Sequence, residues 1–172
     1  MGHAPRLMLK IVIDGFAQAQ RPPQAAIVPP LPPSMRKRHH VAMYTPADVR
    51  KWQVEAKFLA TEQMQGKTPL AGMLEVDLRV YLPLPKSMPN KKRSWALSGA
   101  VRPITRPDCD NYAKSVCDSM SGVLWLDDAQ IVQLNIGKWY SEKPRVEIEV
   151  RERAYPSGAP ETITGDLFED GK

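Results

Sequence analysis

The sequence predicts an α+β domain: a mixed or mainly antiparallel sheet of about four strands with two main helices packed on it. Three observations predict it. Leu74, Val76, Leu78, Val80 and Leu82 alternate with polar neighbours, the period of a half-buried strand. Val49, Trp52, Ala56, Leu59, Ala60 and Met64 recur at helical spacing. Two further strand-like runs, 131–140 and 145–151, close the coherent part of the chain. Strands and helices mixed in the order β, short β, α, β, α, β, β suit helices laid on one sheet face.

Each element has a local reason. Leu7 to Ile13 is aliphatic and β-branched and stops at Asp14-Gly15, which makes it the first strand. Residues 16–35 lose periodicity and gain proline, so about 17–40 is expected to be a Pro-rich insert. Val41 to Tyr44 is a short strand. Thr45 can N-cap the first helix with Pro46 at its first position, and the helix should stop by Gly66. Residues 83–107 form a long irregular loop. A second helix is expected from Asp110 to about Met120. The last two strands are expected to form a hairpin near Lys143-Pro144. From 156 the chain is polar and acidic and is expected to be a disordered tail, leaving one domain over 1–155.

Composition narrows the partners. The chain has 172 residues, 42% of them hydrophobic, enough for one core, and a net charge of +5 that favours anionic partners. Two cysteines make no disulfide framework, nothing resembles a secretory signal, and no apolar run approaches a membrane span. A cytoplasmic protein without a membrane partner is expected.

Against that basic background stand four acids. Asp108 and Asp110 lie one residue apart at the mouth of the second helix, and Asp127-Asp128 follow after a turn. On the helix, Asp110, Lys114 and Asp118 share one arc, opposite Tyr112, Ala113, Val116, Cys117 and Met120. Asp108 or Asp110 alone could be an N-cap, Asp127-Asp128 alone a turn, and Lys114 an i,i+4 ion-pair partner. Together the four suggest a divalent cation, because close carboxylates repel unless a cation lies between them. Mg²⁺ takes a few protein oxygens and leaves the rest to water and phosphate, and Mn²⁺ can substitute. Lys114 would contact phosphate or offset developing negative charge. Arg36, Lys37, Arg38 and Lys91, Lys92, Arg93 are candidate phosphate contacts. His39-His40 sit in the first of these clusters, and Cys109 and Cys117 are eight apart, so neither pair has zinc spacing.

The run Arg106-Pro107-Asp108-Cys109-Asp110-Asn111-Tyr112-Ala113-Lys114, then Asp118 and Trp125-Leu126-Asp127-Asp128-Ala129-Gln130-Ile131-Val132, resembles the core of the RusA-type Holliday-junction resolvases. Lys138 and the strand Val146 to Val150 resemble the family's ending, and Tyr44-Thr45-Pro46 a common family feature. The resemblance implies a small homodimeric, Mg²⁺-dependent endonuclease, common in phages and prophages, that makes paired cuts in four-way DNA. It makes Asp108, Asp110 and Asp128 the essential metal-site acids, Asp127 a supporting one and Lys114 the essential lysine. Lys138 joins the DNA-contacting set. The Pro-rich insert and the long loop depart from the family pattern. Two rivals stay open: a branched-DNA-binding module whose acids are only caps, and a nuclease for other branched DNA.

Overall fold

The computed structural model describes residues 6–21, 24–27 and 41–154. The cluster Arg36-Lys37-Arg38-His39-His40 and the tail expected from 156 lie outside them. In chain order the elements are β1 (Arg6–Asp14), β2 (Gln24–Ile27), β3 (Val41–Tyr44), α1 (Ala47–Met64), β4 (Met73–Pro83), α2 (Asn90–Leu97), α3 (Cys109–Met120), a 3-10 turn (Asp128–Gln130), β5 (Ile131–Ser141) and β6 (Arg145–Arg153).

Four strands form one mixed sheet in the order β1-β6-β4-β5. Strand β6 runs antiparallel to both β1 and β4, and β5 runs parallel to β4. The expected β5–β6 hairpin is therefore corrected: β4 lies between them. Strand β5 takes the open edge of β4 after a long crossover that carries α2 and α3, as parallel pairing requires. Strand β6 then fills the slot between β1 and β4, where Val146, Ile148 and Val150 are wholly buried. Central strands need apolar residues on the covered face, and β6 has them at every second position.

Register builds the core in rows. Ile11, Ile148, Leu78 and Ile136 align across the sheet, and Ile13, Val146, Val80 and Lys138 form the next row. Helices α1 and α3 cover that face. The stripe Val49, Trp52, Ala56, Ala60 and Met64 of α1 is buried as its spacing predicts, and Leu59 packs against the core. On α3, Tyr112, Ala113, Val116, Cys117 and Met120 point inward while Asp110, Lys114 and Asp118 are exposed.

Three expectations need revision. Pro46 itself occupies the N-cap of α1, with no side-chain cap, so Thr45 does not cap it. The 83–107 stretch is not irregular throughout, because Asn90–Leu97 is helical, making three α-helices among the described residues. The insert contains a strand, β2, paired with β3 in a separate two-stranded sheet. Its first residues are also docked: Ala17 and Ala19 are buried, and the Gln20 N–H donates to the Asn111 carbonyl of α3 at 2.8 Å.

The opposite sheet face is a lattice of charges. Lys10 pairs with Glu149 (3.2 Å), Arg79 with Glu149 (3.2 Å), Arg145 with Glu147 (2.7 Å), and Arg153 with Glu75 (3.3 Å). Arg151 binds both Asp77 and Glu149. Burial pushes the Asp77 pKa up, but hydrogen bonds from Arg151 and Asn135 and the charges of Arg151 and Arg79 outweigh it and hold it below its ordinary value. A carboxylate with a lowered folded pKa contributes stability above its unfolded pKa, and loses it as pH falls through the folded value. Asp77→Asn should therefore lower the melting temperature at pH 7, by on the order of 1 kcal/mol of stability. The gap to wild type should close in thermal melts taken below the ordinary carboxylate range.

Candidate active site

The site is built on the exposed ridge of α3 and on the turn that follows it. Asp108 holds the N-cap position with extended dihedrals (φ −79°, ψ 162°), yet its side chain makes no cap hydrogen bond. An N-cap aspartate ordinarily accepts from an N–H of the first turn. Here the carboxylate is exposed, and the capping explanation fails at this residue. Asp110 follows in the first turn, also exposed, where the helix dipole favours negative charge.

Lys114 stands one turn further along the ridge, exposed. Among the described residues it makes no ion pair, so the i,i+4 alternative is not realised. Its charge still opposes, without reversing, the upward shift that burial gives the Asp118 pKa.

Asp127 and Asp128 are neighbours with different fates. The Asp127 carboxylate accepts from the Ala129 N–H at 2.8 Å and completes a capping box with Gln130. It is thus a cap, made by one of its two carboxylate oxygens. The Asp128 carboxylate accepts at 2.6 Å from the indole N–H of Trp125, which is wholly buried. One oxygen is held and the other stays available. Gly122, at φ +75°, makes the turn that brings the chain from α3 to Trp125, and its N–H donates to the Trp125 carbonyl at 2.7 Å.

Gln130 bolts this turn down. Its carbonyl oxygen accepts from the N–H groups of Leu126 (2.8 Å) and Asp127 (2.9 Å), and its amide donates to the carbonyls of Leu70 and Gly72 at 3.1 Å each. All four hydrogen-bonding positions of a buried side chain are used.

Asp128 comes to rest beside Cys117 and Asp118 of α3. Burial and the charges of Asp128 and Asp118 push the Cys117 thiol up to about 12. Burial raises the Asp118 pKa and the Asp128 charge adds to it, against Lys114 and a hydrogen bond from Gln53 of α1. From Asp108 to Asp118 the helix rises about 15 Å. Asp108 and Asp110 thus stand at the first turn of α3 and Asp118 near its end, with Lys114 between them, and Asp128 lies near enough to Asp118 for its charge to act on it. Among the described residues no three His, Cys, Asp or Glu side chains are gathered as a cation cage. Two carboxylates with free oxygens nevertheless fit Mg²⁺, which takes one or two from protein and completes its shell with water and phosphate. Asp118, placed on the ridge by the helical arc but given no role from sequence, is the addition.

The basic residues divide as well. Lys91 and Lys92 are exposed on α2, with Lys91 5.5 Å above the Trp95 ring, while Arg93 pairs with Glu142 at 2.9 Å. Lys138 points inward from the edge strand: its ammonium donates to the carbonyls of Thr105 (2.9 Å) and Pro107 (2.8 Å), next to Asp108. It ties down the loop that leads into α3, so two of its three donors are not free for DNA. Arg36, Lys37 and Arg38 lie outside the described residues. Sequence patterns missed Arg102, which stacks on Trp139 at 4.0 Å and donates to the Gly99 and Lys138 carbonyls, each at 3.1 Å. Partners so far apart in the chain share no periodic signal.

Fold and site together define a small domain that presents carboxylates from a helix edge amid basic elements. The chain belongs to the RusA endodeoxyribonuclease family: the family model, described as "Endodeoxyribonuclease RusA", matches residues 26–151. It is 36% identical over 146 residues to the uncharacterized protein YqaN of Bacillus subtilis (strain 168), covering 84% of this chain and 96% of that one. It is also 33% identical over 95 residues to the crossover junction endodeoxyribonuclease rusA of Lactococcus phage r1t, covering 55% and 69% respectively. Membership places the chain among the hydrolases that cut DNA phosphodiesters. No helix among the described residues is long and apolar enough to cross a membrane.

If Gln130 holds the turn, Gln130→Leu should strand the Asp127 N–H and the Gly72 carbonyl at nearly constant volume, and leave the Leu126 N–H and the Leu70 carbonyl only their mutual 3.3 Å bond. The expected cost is about 1–3 kcal/mol, read by denaturant unfolding. A value near zero would mean that water replaces the side chain.

Proposed function

We propose that this chain is a divalent-metal-dependent endonuclease that resolves four-way DNA junctions by paired cuts. It would act as a homodimer in recombination and repair, in the cytoplasm, and be of phage or prophage origin. The observation that carries the reading is the N-cap aspartate that caps nothing. Asp108 has a carboxylate at a helix start and no structural use for it, one residue from Asp110. The family match and the similarity to a phage enzyme named for crossover junctions support the substrate class.

Asp108 and Asp110 are assigned to hold Mg²⁺, or Mn²⁺ in its place, with Asp128 as the third essential acid, Asp118 beside it and Asp127 supporting. A bound cation would supply Lewis acidity at the phosphate and lower the pKa of water. Lys114, between Asp110 and Asp118 on the ridge of α3, donates to a non-bridging oxygen or to the departing one and offsets the charge that builds there. The water oxygen bonds to phosphorus as the P–O3′ bond breaks. The water's proton is released and the 3′ oxygen takes one up, leaving a 5′-phosphate and a 3′-hydroxyl. Lys91 and Lys92, with Arg93, Arg36, Lys37 and Arg38, contact phosphates and position the arms without reading sequence. Two-fold symmetry in the protein suits two-fold symmetry in the junction.

Asp110→Asn should lose roughly a hundredfold or more in cleavage of a synthetic junction and keep its gel-shift affinity. Chelation of the metal should have the same effect, reversed by adding Mg²⁺. Cutting at the wild-type rate would remove the assignment. Lys114→Ala should cut poorly and bind well, and loss of both would mark a structural lysine. Linear, forked and four-way substrates in parallel separate a resolvase from a general branched-DNA nuclease.

A further inference from the structure

The most exposed large apolar side chain among the described residues is Ile104, at 96%. A lone exposed isoleucine is ordinary on protein surfaces. Its setting here is not. The chain on both sides of Ile104 is fastened to strand β5. On one side Pro103 is buried, and Arg102 lies on the Trp139 ring at 4.0 Å and donates to the Lys138 carbonyl at 3.1 Å. On the other, the Lys138 ammonium holds the Thr105 and Pro107 carbonyls at 2.9 and 2.8 Å. The Trp139 ring that supports Arg102 lies so close over Gly137 that a Cβ there would sit 2.4 Å from it. With both flanks bound, the loop cannot fold back to cover its own apolar tip.

The tip also stands in a place with a use. Asp108 is four residues on, and four residues of chain span at most about 14 Å. Base pairs stack about 3.4 Å apart, so Ile104 comes within about four steps of any phosphate that Asp108 serves. Arg106, exposed beside it, brings a cation to the backbone. Apolar side chains that enter between base steps unstack them and kink the duplex, and a rigid loop needs little ordering to do so.

We propose that Ile104 is a wedge that enters the base stack at the branch point of the DNA substrate and opens it beside the cut. The inference rests on the nuclease reading for the identity of the substrate. It adds a determinant of selectivity for branched DNA, whose weakened steps open most easily.

The test uses the full chain and a four-way junction carrying 2-aminopurine at the branch point. Wild type should raise the fluorescence on binding without metal. Ile104→Ser should not, while Ile104→Leu should restore the rise. In Mg²⁺, Ile104→Ser should cut a fully paired junction about tenfold or more slowly, the scale of an unaided unstacking step. The deficit should shrink to within about twofold on a junction mismatched at the branch point, where the bases are already open. Equal fluorescence and equal cutting by Ile104→Ser would overturn the wedge. So would a loss that is the same on both junctions and accompanied by a changed mass in light scattering, which would assign Ile104 to a contact between two copies. A wild-type protein that opens the bases but cuts no DNA in any metal would instead sink the nuclease reading and leave the wedge standing.

Discussion

The indole N–H of Trp125 has to be satisfied inside the protein. The ring is wholly buried and water cannot reach it, so its donor needs an acceptor on the spot. Asp128 is that acceptor. A requirement of the core thereby sets the direction of a carboxylate at the surface. The same logic extends through Gln130, whose buried amide uses every donor and acceptor it has to join the turn to the residues before β4. Loosening either group would cost stability before it cost activity. This explains how a 3-10 turn of three residues holds the direction of the Asp128 side chain.

Sheet topology supplies the other half of the site. Because β5 pairs parallel to β4, the chain must cross the sheet between them, and the crossover carries α2, the loop to Pro107 and α3. The edge position of β5 then leaves side chains free to grip that loop. Lys138 occupies a core row alongside Ile13, Val146 and Val80, where an apolar residue is expected, and turns its ammonium up to two loop carbonyls instead. On the other face of the strand, Trp139 provides the plate on which Arg102 lies. One strand thus fastens the entrance of α3 from both sides.

Much of this was legible in the sequence, and what was not has a physical reason. The α1 stripe, the alternation of β4 and the two-faced character of α3 are periodic signals, and each element formed as its period predicts. The β5–β6 connection misled because a short loop favours a hairpin, whereas the decision lay in which strand needed an apolar partner on both edges. Helix α2 was hidden by its low apolar content: only Ala96 of its eight residues is buried, so it shows no stripe. The acids were visible as types and spacings. The nearness of Asp128 to Asp118 was not, since it depends on where a turn twenty residues downstream meets α3.

Asp127 and Asp128 show most plainly why residue type is not role. They are identical and adjacent, and any motif counts them together. In a 3-10 turn, however, the residue before the turn faces its own backbone and the first residue within it faces away. Asp127 therefore spends an oxygen on the Ala129 N–H, while Asp128 reaches Trp125 and lies beside Asp118. At the start of α3 the assignment is reversed: the residue in the cap position, Asp108, leaves its first turn uncapped. A helix that forgoes a cap worth about 1 kcal/mol has its carboxylate free for something else. That sacrifice, at a residue close to Asp110 and on a loop held by Lys138, separates an aspartate with no capping duty from one that has it on physical grounds alone.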